Sequence, residues 1–461
     1  MAKTMLIPCS PKKTRRMSST LADSPTVWLA VAWSIALLCW MVAPEKLVYY
    51  LIPAGRHLSI TSWLFLCLCA ASVSLGMKGG VHLGRTSQKW HATFRDAWRR
   101  KSLALLILVY ARRPCVVLVC ISLFAQILHI GLVLSGGWSG FGLDVIVDYR
   151  RMYYGSTIGG VTTLKMLALP AYCVATTCRG LASRHGLKRY VRAFAMIRWM
   201  TLLVPLVSAA LGTRLIAIGW LIADMYLSIG IKVRIEKARW ATSKIGKSLL
   251  YVAVGLVLLY AVGHYLRWYS RVAMGEVESE RYLEGGGFME SAVLAFLSYP
   301  FRTINNCMVV VDYVERHTYF WRSWRWIYTG LGLEQFDPGG LIASVTAEME
   351  GLQASGLAYF GATNISLPGY LFLDMGWFCL LAVMCLGLFI GYTYELWKKT
   401  ALFGMLVMPL IIIAVADSWR TDIFFRSIIV IGILGSIATC VAVERGVRRE
   451  VSAGRFVEYY R

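Results

Sequence analysis

Long apolar runs constrain the fold of this chain more than any other feature of its sequence. An α-helix needs about 20 predominantly apolar residues to cross a bilayer, and about ten runs approach or reach that length. A mean hydropathy of +0.59 and a charged fraction of only 16% are typical of a polytopic membrane protein. The runs lie at about 27–43, 58–77, 114–136, 158–178, 195–211, 215–231, 248–266, 371–394, 401–416 and 427–443. We therefore predict an all-α membrane protein with about ten transmembrane helices.

The positive charges of the chain predict its orientation in the membrane. The formal net charge is +23, and the Lys and Arg residues are concentrated in short segments between alternate apolar runs, as the positive-inside rule expects of cytoplasmic segments. Both termini fall on that side. Residues 101–113 are rich in Leu but too short to span, and we interpret them as a helix lying on the anionic inner leaflet. Without a basic recognition helix or an aromatic RNA platform, the charge does not indicate a nucleic-acid partner.

The runs and the charges divide the chain into five parts. The first apolar run has no cleavage site, so we predict a retained helix rather than a removed signal peptide. The parts are a basic cytoplasmic tail (1–26), helices one to seven with the basic cytoplasmic segment 78–113 (27–266), a large external loop (267–367), helices eight to ten (368–443) and a second basic cytoplasmic tail (444–461). Because the external loop is the longest departure from the apolar pattern, we expect the chemistry of the protein there.

The external loop is rich in Tyr, Trp, Arg and Glu. An amphipathic stretch after Phe288 predicts a helix on the outer face, followed by a turn at Pro300 that presents Arg302, Asn305 and Asn306. Further along, aromatic residues alternate with Arg between residues 313 and 328. Such rings stack on sugars, and they equally form the aromatic belt of a membrane protein.

Several predicted external segments each carry at least one arginine near the outer membrane surface. The set is Arg56, Arg150, Arg151, Arg214, Arg302, Arg420 and Arg426. The planar guanidinium binds phosphate or carboxylate through two hydrogen bonds and stays charged at low dielectric, which suits a polyprenyl diphosphate. The alternative is that each arginine anchors the end of a helix at the interface. Arg214 lies in a turn so short that its charge must remain near the membrane, where ionisable residues are functional by default.

The sequence offers several acid–base candidates and does not choose among them. They are Asp144, Asp148, Glu280, Glu284, Glu315, His317 and Asp374. Asp224 lies inside a predicted helix, where contacts between helices account for it as well as a function does. We find no P-loop, dinucleotide motif, Asp-rich loop or zinc spacing, and the cysteines lie mostly in apolar runs. These patterns predict no metal site and no cofactor.

Three places in the chain carry a resemblance to a known family. They are Gly212-Thr213-Arg214 between two middle runs, Ser298-Tyr299-Pro300-Phe301-Arg302 with Asn305-Asn306 in the large loop, and Leu367-Pro368-Gly369-Tyr370 followed by Asp374-Met375-Gly376-Trp377. In these features the chain resembles the Wzy-type oligosaccharide repeat-unit polymerases, also called O-antigen polymerases. With the number of runs, the resemblance covers most of the chain from about 114 to 443.

The resemblance implies a glycosyltransferase of the bacterial inner membrane. Such enzymes work at the outer face and transfer a growing glycan from undecaprenyl diphosphate onto an incoming lipid-linked repeat unit, without a metal or a nucleotide sugar. The product is O-antigen, capsule or exopolysaccharide, and a flippase and a chain-length regulator are the partners implied. On this reading Arg214, Arg302, Arg150 and Arg420 bind the diphosphate, Asn305 and Asn306 contribute to the substrate site, and Asp148 is the base.

Two other functions remain open at this point. An O-antigen ligase-like enzyme uses the same donor with a different acceptor, and it is expected to carry a His near the end of its large loop, whereas His317 lies in mid-loop. A lipid-linked glycan flippase or other transporter is expected to show two related halves and charged residues along several helices. Neither pattern is evident in the sequence.

Overall fold

The computed structural model describes the greater part of the chain, and it is helical there. The described residues are 23–86, 94–135, 161–210, 214–231, 288–324, 327, 337–359, 365–421 and 423–453. The predicted seventh helix at 248–266 lies outside these ranges. So do six predicted site residues and acid–base candidates: Asp144, Asp148, Arg150, Arg151, Glu280 and Glu284.

The described residues form fifteen α-helices and four short 3₁₀ turns. The helices are α1 (Pro25–Val42), α2 (Glu45–Leu51), α3 (Ile60–Thr86), α4 (Phe94–Arg99), α5 (Lys101–Ser135), α6 (Val161–Leu164), α7 (Ala168–Arg184), α8 (Lys188–Ala210), α9 (Arg214–Gly230), α10 (Phe288–Tyr313), α11 (Leu341–Ala354), α12 (Leu367–Met375), α13 (Cys379–Lys398), α14 (Leu402–Asp417) and α15 (Ser427–Ser452). The 3₁₀ turns are Lys165–Leu167, Pro338–Gly340, Gly376–Phe378 and Ile423–Phe425.

Six helical segments of the described chain are long and apolar enough to cross a membrane. They are Pro25–Val42, Ile60–Thr86, Lys101–Gly131, Lys188–Val207, Leu367–Lys398 and Ile428–Glu450. Two further helices, Ile218–Gly230 and α14, are apolar but shorter. The helical content and these segments agree with the prediction of an all-α, multi-pass membrane protein. The count of about ten stays a prediction.

The closest helix pair in the described bundle is formed by α3 and α13. A Cβ atom added at Gly80 would lie 1.9 Å from the carbonyl oxygen of Leu388, and one added at Gly391 would lie 2.1 Å from that of Met77. The contacts advance together along both helices, so the two helices run parallel. Small residues at every fourth position allow two backbones to approach in this way inside a membrane.

Residues 101–113 do not form the separate interfacial helix that the sequence predicted. They form the first third of α5, which continues through Pro114 to Ser135. This third buries Ala104, Ile107, Leu108 and Ala111. Tyr110 donates a hydrogen bond to Glu450 Oε1 of α15 at 2.8 Å. The apolar face that the sequence assigned to the leaflet is therefore covered by the protein itself, and this packing offsets the hydrogen bond that a proline removes from a helix.

The predicted external loop contains a long helix that is packed into the bundle. α10 runs without a break through Pro300, where the sequence predicted a turn. Its Phe301, Ile304 and Met308 are fully buried against a cluster from α1 and α2 that includes Trp40. Burial of these side chains outweighs the cost of about 3 kcal/mol for an internal proline. The prediction that a turn presents Arg302, Asn305 and Asn306 was therefore wrong, and these three residues lie inside the protein.

The predicted eighth helix is interrupted in the structure. α12 ends at Met375, Gly376 adopts a positive φ of 55°, and a 3₁₀ turn leads into α13. The crossing segment, which we define as residues 314–324, supplies partners to the last carbonyls of α12. Thr318 N donates to Leu373 O at 2.9 Å and Tyr319 N donates to Asp374 O at 2.6 Å. The break therefore leaves these two carbonyls paired, as buried backbone at membrane depth requires.

A polar triad ties three of the middle helices together. Asp224 of α9 accepts a hydrogen bond from Tyr172 of α7 at 2.6 Å and one from Arg198 of α8 at 3.0 Å, both on Oδ1. The side chains of Arg198 and Asp224 are 27% and 36% exposed. Among the two explanations that the sequence left open for Asp224, this geometry favours the contact between helices.

Removing the carboxylate of the triad is expected to destabilise the bundle. Asp224→Ala leaves the Arg198 charge with only the neutral Tyr172 hydroxyl as partner, which costs up to about 3 kcal/mol in a membrane helix, and partial exposure screens some of this cost. We expect unfolding of the purified protein in mild detergent to show a loss of about 1–3 kcal/mol. Adding Arg198→Ala should restore part of it.

A matched control uses the exposed ion pair of Arg316 and Glu348. Its Nε and Oε1 atoms lie 3.3 Å apart, and the Arg316 side chain is 67% exposed. Exposed pairs contribute less than about 1 kcal/mol, so Arg316→Ala should change stability little. If Asp224→Ala is no more destabilising than Arg316→Ala, the triad does not hold these helices together.

Candidate functional site

Polar side chains collect in the middle of α10, between two apolar stretches of the same helix. The buried set is Ser298, Arg302, Thr303, Asn305 and Asn306. Burying polar groups costs free energy unless each finds a partner, and burying a charge costs more. The partners of these side chains therefore show what this part of the helix can do.

Arg302 is a buried cation held between two aromatic rings. It is 5% exposed, and its Cζ lies 5.0 Å from the ring centroid of Tyr299 and 5.1 Å from that of Tyr359. Its Nε donates to the carbonyl oxygen of Ser298 at 3.2 Å, and Nη2 donates to Ser298 Oγ at 3.4 Å. Within the described ranges no carboxylate pairs with it and Nη1 makes no hydrogen bond. The two rings and the serine therefore hold the guanidinium in place.

Asn306 fixes the backbone that carries one of these rings. Its Oδ1 accepts from Tyr359 N at 3.0 Å, and its Nδ2 donates to Tyr359 O at 2.7 Å. The reciprocal pair satisfies both backbone groups of Tyr359 and sets the ring beside Arg302. Asn306, which was predicted to bind substrate, thus positions the ring that packs on the Arg302 guanidinium.

Asn305 joins two segments that are distant in the chain. Its Oδ1 accepts from the backbone N of His57 at 2.8 Å, and its Nδ2 donates to Leu357 O at 3.3 Å. The turn before α3 and the segment 357–359 are both held against α10 in this way. Asn305, like Asn306, acts within the protein as a positioning residue.

A histidine–carboxylate pair lies next to this junction. His57 Nε2 is 2.5 Å from Asp312 Oδ2, and the two side chains are 13% and 11% exposed. The imidazole also lies 5.4 Å from the ring of Tyr313. His57 Nδ1 has no hydrogen-bond partner among the described residues. Neither member of the pair was among the acid–base candidates of the sequence, which held no signal that would pair residues on two such distant segments.

Of the remaining predicted arginines, Arg420, Arg426 and Arg56 have described side chains, and their partners differ from those of Arg302. Arg420 forms a two-point ion pair with Asp417, with both contacts at 2.7 Å, so its charge is already neutralised. Arg426 donates to Thr421 Oγ1 at 2.7 Å, and Arg56 donates to the carbonyl oxygen of Ala43. Arg214 begins α9, and the structure does not describe its side chain. Arg150, Arg151 and the predicted base Asp148 lie outside the described residues.

Asp374 stabilises the break between α12 and α13. It is fully buried and accepts hydrogen bonds from the Thr318 and Ser323 hydroxyls and from Ser323 N. These bonds clamp the crossing segment onto the end of α12. His317, on the same segment, packs edge-on against Phe372. Burial lowers the pKa of the His317 imidazole, against the opposing effect of nearby carboxylates.

No described group of three or more His, Cys, Asp or Glu side chains is arranged to hold a metal ion. Among the described residues, the side chains that stand out at this site are Arg302, its two tyrosine rings and the His57 imidazole.

Comparison with known proteins adds no assignment. No protein-family model, curated protein or solved structure matches the chain.

Proposed function

We propose that this chain is an oligosaccharide repeat-unit polymerase that uses a lipid diphosphate as donor at the outer face of the bacterial inner membrane. The observation that carries the proposal is Arg302, a buried cation that has no described carboxylate partner and is fixed between Tyr299 and Tyr359. An ionisable side chain inside a bundle of apolar helices is a functional site by default. The anion that best reaches such a place is one carried on a lipid.

The state of Arg302 favours a strongly charged ligand. A buried charge without a partner costs several kcal/mol, and an anion that enters the site recovers this cost on binding. Because the rings and Ser298 hold the guanidinium plane, little side-chain entropy is lost when two of its N–H groups bind one phosphate. A diphosphate meets both requirements.

The same cation would act on the reaction that we propose. When the glycosidic carbon leaves the diphosphate for the acceptor oxygen, negative charge develops on the phosphate. A preorganised cation stabilises that charge more than it stabilises the bound substrate. The donor is already activated, so the proposed reaction uses neither a nucleotide sugar nor a cofactor. A flippase that delivers repeat units and a chain-length regulator are the partners that this role implies.

The distribution of cations supports the proposed side of the membrane. α3 runs from the end near His57 to Arg85, and the parallel helix α13 ends at Lys398. Lys399 Nζ donates to Gly84 O at 2.9 Å and to Arg85 O at 3.2 Å, so these cations share one end of the pair. The positive-inside rule makes that end cytoplasmic. The opposite end, which carries His57 and the site on α10, is then external.

One observation favours a second candidate, a transporter of lipid-linked glycans. The interrupted segment Leu367–Lys398 resembles the discontinuous helices that transporters use near the membrane midplane. A ligase-like transferase would use Arg302 in the same manner as the polymerase and differs from it only in the acceptor.

The test is reconstitution of the purified chain in vesicles with the host's own lipid-linked repeat units. We expect a ladder of longer glycans and release of the lipid diphosphate, in the presence of a chelator and without a nucleotide sugar. Repeat units that cross the bilayer and stay single would identify a transporter. Transfer to a lipid A core acceptor alone would identify a ligase, and either result would contradict the polymerase.

A further inference from the structure

We propose that the His57–Asp312 pair is the general base that removes the proton of the acceptor hydroxyl. The inference rests on the proposed function, because it names the base for that glycosyl transfer. A transfer to a sugar hydroxyl needs one group that takes up its proton. The sequence placed this role on Asp148, and the structure offers a different group with a defined geometry.

The pair has the arrangement of an oriented imidazole base. Asp312 Oδ2 lies 2.5 Å from His57 Nε2, so the carboxylate accepts the Nε2–H and fixes the tautomer in which Nδ1 carries the free lone pair. Asn305 holds the His57 backbone N at 2.8 Å, and the ring of Tyr313 lies beside the imidazole. Nδ1 is left without a partner in the described part of the chain. It is the atom that can accept a proton.

The base and the cation belong to one connected network. Asn305 contacts both the His57 backbone and Leu357, and the segment that begins at Leu357 carries Tyr359 to the guanidinium of Arg302. Along α10, Arg302 and Asp312 are about 15 Å apart at about 1.5 Å of rise per residue. Approaches of about 3 Å from the cation to a phosphate oxygen, from the attacking oxygen to the anomeric carbon and from that oxygen to the base, together with the covalent bonds of the phosphoryl group and the glycosidic link, span a distance of that order.

The step balances without any further reactant. The acceptor oxygen forms a bond to the anomeric carbon of the donor, and its proton passes to His57 Nδ1. The bond between that carbon and the diphosphate oxygen breaks, and the electron pair leaves with the lipid diphosphate at Arg302. The Asp312 carboxylate stabilises the imidazolium that forms, and the proton is then released to water.

The discriminating variant is His57→Gln. The glutamine amide still donates to Asp312, so a purely structural tie is kept while the base is lost. In vesicles supplied with lipid-linked repeat units we expect kcat to fall about 10²–10⁴-fold, with the KM for the donor and the thermal stability close to those of the wild type. Asp312→Asn should lower kcat in the same direction. The matched control is His185→Gln, because His185 is another half-buried histidine with a single contact, to Ala97 O at 2.9 Å.

The possible results distinguish the assignment of the base from the proposal that the protein is a polymerase. If the wild type makes polymer and His57→Gln keeps a kcat within about threefold of it, the pair is a structural tie and the base assignment is overturned. If the wild type makes no polymer, both proposals are overturned. Should His57→Gln fail to fold, His57→Ala with added imidazole decides. Recovery of transfer supports a base at this place, and no recovery in folded protein overturns it.

Discussion

Arg302→Ala is expected to abolish polymer formation while the protein remains inserted and folded. Removal of one preorganised donor from a site of developing negative charge lowers kcat by about 10²–10³-fold. Here the same residue is also proposed to bind the diphosphate, so the loss in kcat/KM should exceed the loss in kcat. The variant leaves Tyr299, Tyr359 and Ser298 in place, and it removes a buried charge that has no carboxylate in the described structure. Folding should therefore be maintained or slightly improved.

A conservative substitution tests the geometry of the same cation. Arg302→Lys keeps the charge but loses the planar fork and the stacking between two rings at 5.0 and 5.1 Å. We expect intermediate activity, mostly through weaker donor binding. The measurements are the glycan ladder in cells, binding of the lipid diphosphate to purified protein, and thermal unfolding in detergent.

Arg420 provides the comparison within the same chain. The sequence assigned both arginines to the diphosphate, but Arg420 is neutralised by Asp417 through two contacts of 2.7 Å. Arg420→Ala should therefore weaken donor binding far less than Arg302→Ala does. A full-length ladder from folded Arg302→Ala would refute the cation site, and equal losses in both variants would show that the ion pair opens to bind substrate.

The apolar pattern predicted the helices because a bilayer forces the choice. Backbone groups in a lipid environment can be satisfied only within helices or closed barrels, so an apolar run of sufficient length has one main outcome. α1 follows its predicted run closely, whereas α3 and α15 begin near the predicted starts and continue past the predicted ends, to Thr86 and Ser452. Two of the errors lie at Pro114 and Pro300, where the helices continue although a proline usually ends a helix. Burial against distant helices outweighs that rule, and a sequence without its fold does not show this burial.

The site was predictable only in part, for a related reason. Arg302, Asn305 and Asn306 were predicted as a group, but on a turn after Pro300, whereas the structure places them within a continuous helix. Whether each faces substrate or protein depends on Tyr359, Leu357 and His57, which come from other segments. The Asp417–Arg420 pair could have been predicted, because residues three apart in a helical turn often pair, but Arg420 was assigned to the diphosphate instead.

The second large effect is expected at the contact between α3 and α13, where neighbouring glycines provide their own control. A Cβ at Gly80 would lie 1.9 Å from Leu388 O and 2.6 Å from Tyr392 N, whereas one at Gly79 would meet no atom within 4 Å. Both atoms near Gly80 belong to the backbone of α13 and cannot rotate away. Gly80→Ala must therefore push the helices apart along their whole contact.

The two adjacent substitutions should change the stability of the protein in opposite directions. Gly79→Ala gains helix propensity and should be neutral or stabilising by up to about 1 kcal/mol. Gly80→Ala gains the same propensity but overpacks the contact, at a typical cost of about 1–3 kcal/mol, and Gly80→Leu should cost more. Thermal unfolding of the purified variants in detergent measures this difference. Equal stability of Gly79→Ala and Gly80→Ala would mean that the two helices do not pack backbone to backbone. The contact would then not support the site, to which α3 is joined by the turn that carries His57 and α13 by the break beside the crossing segment.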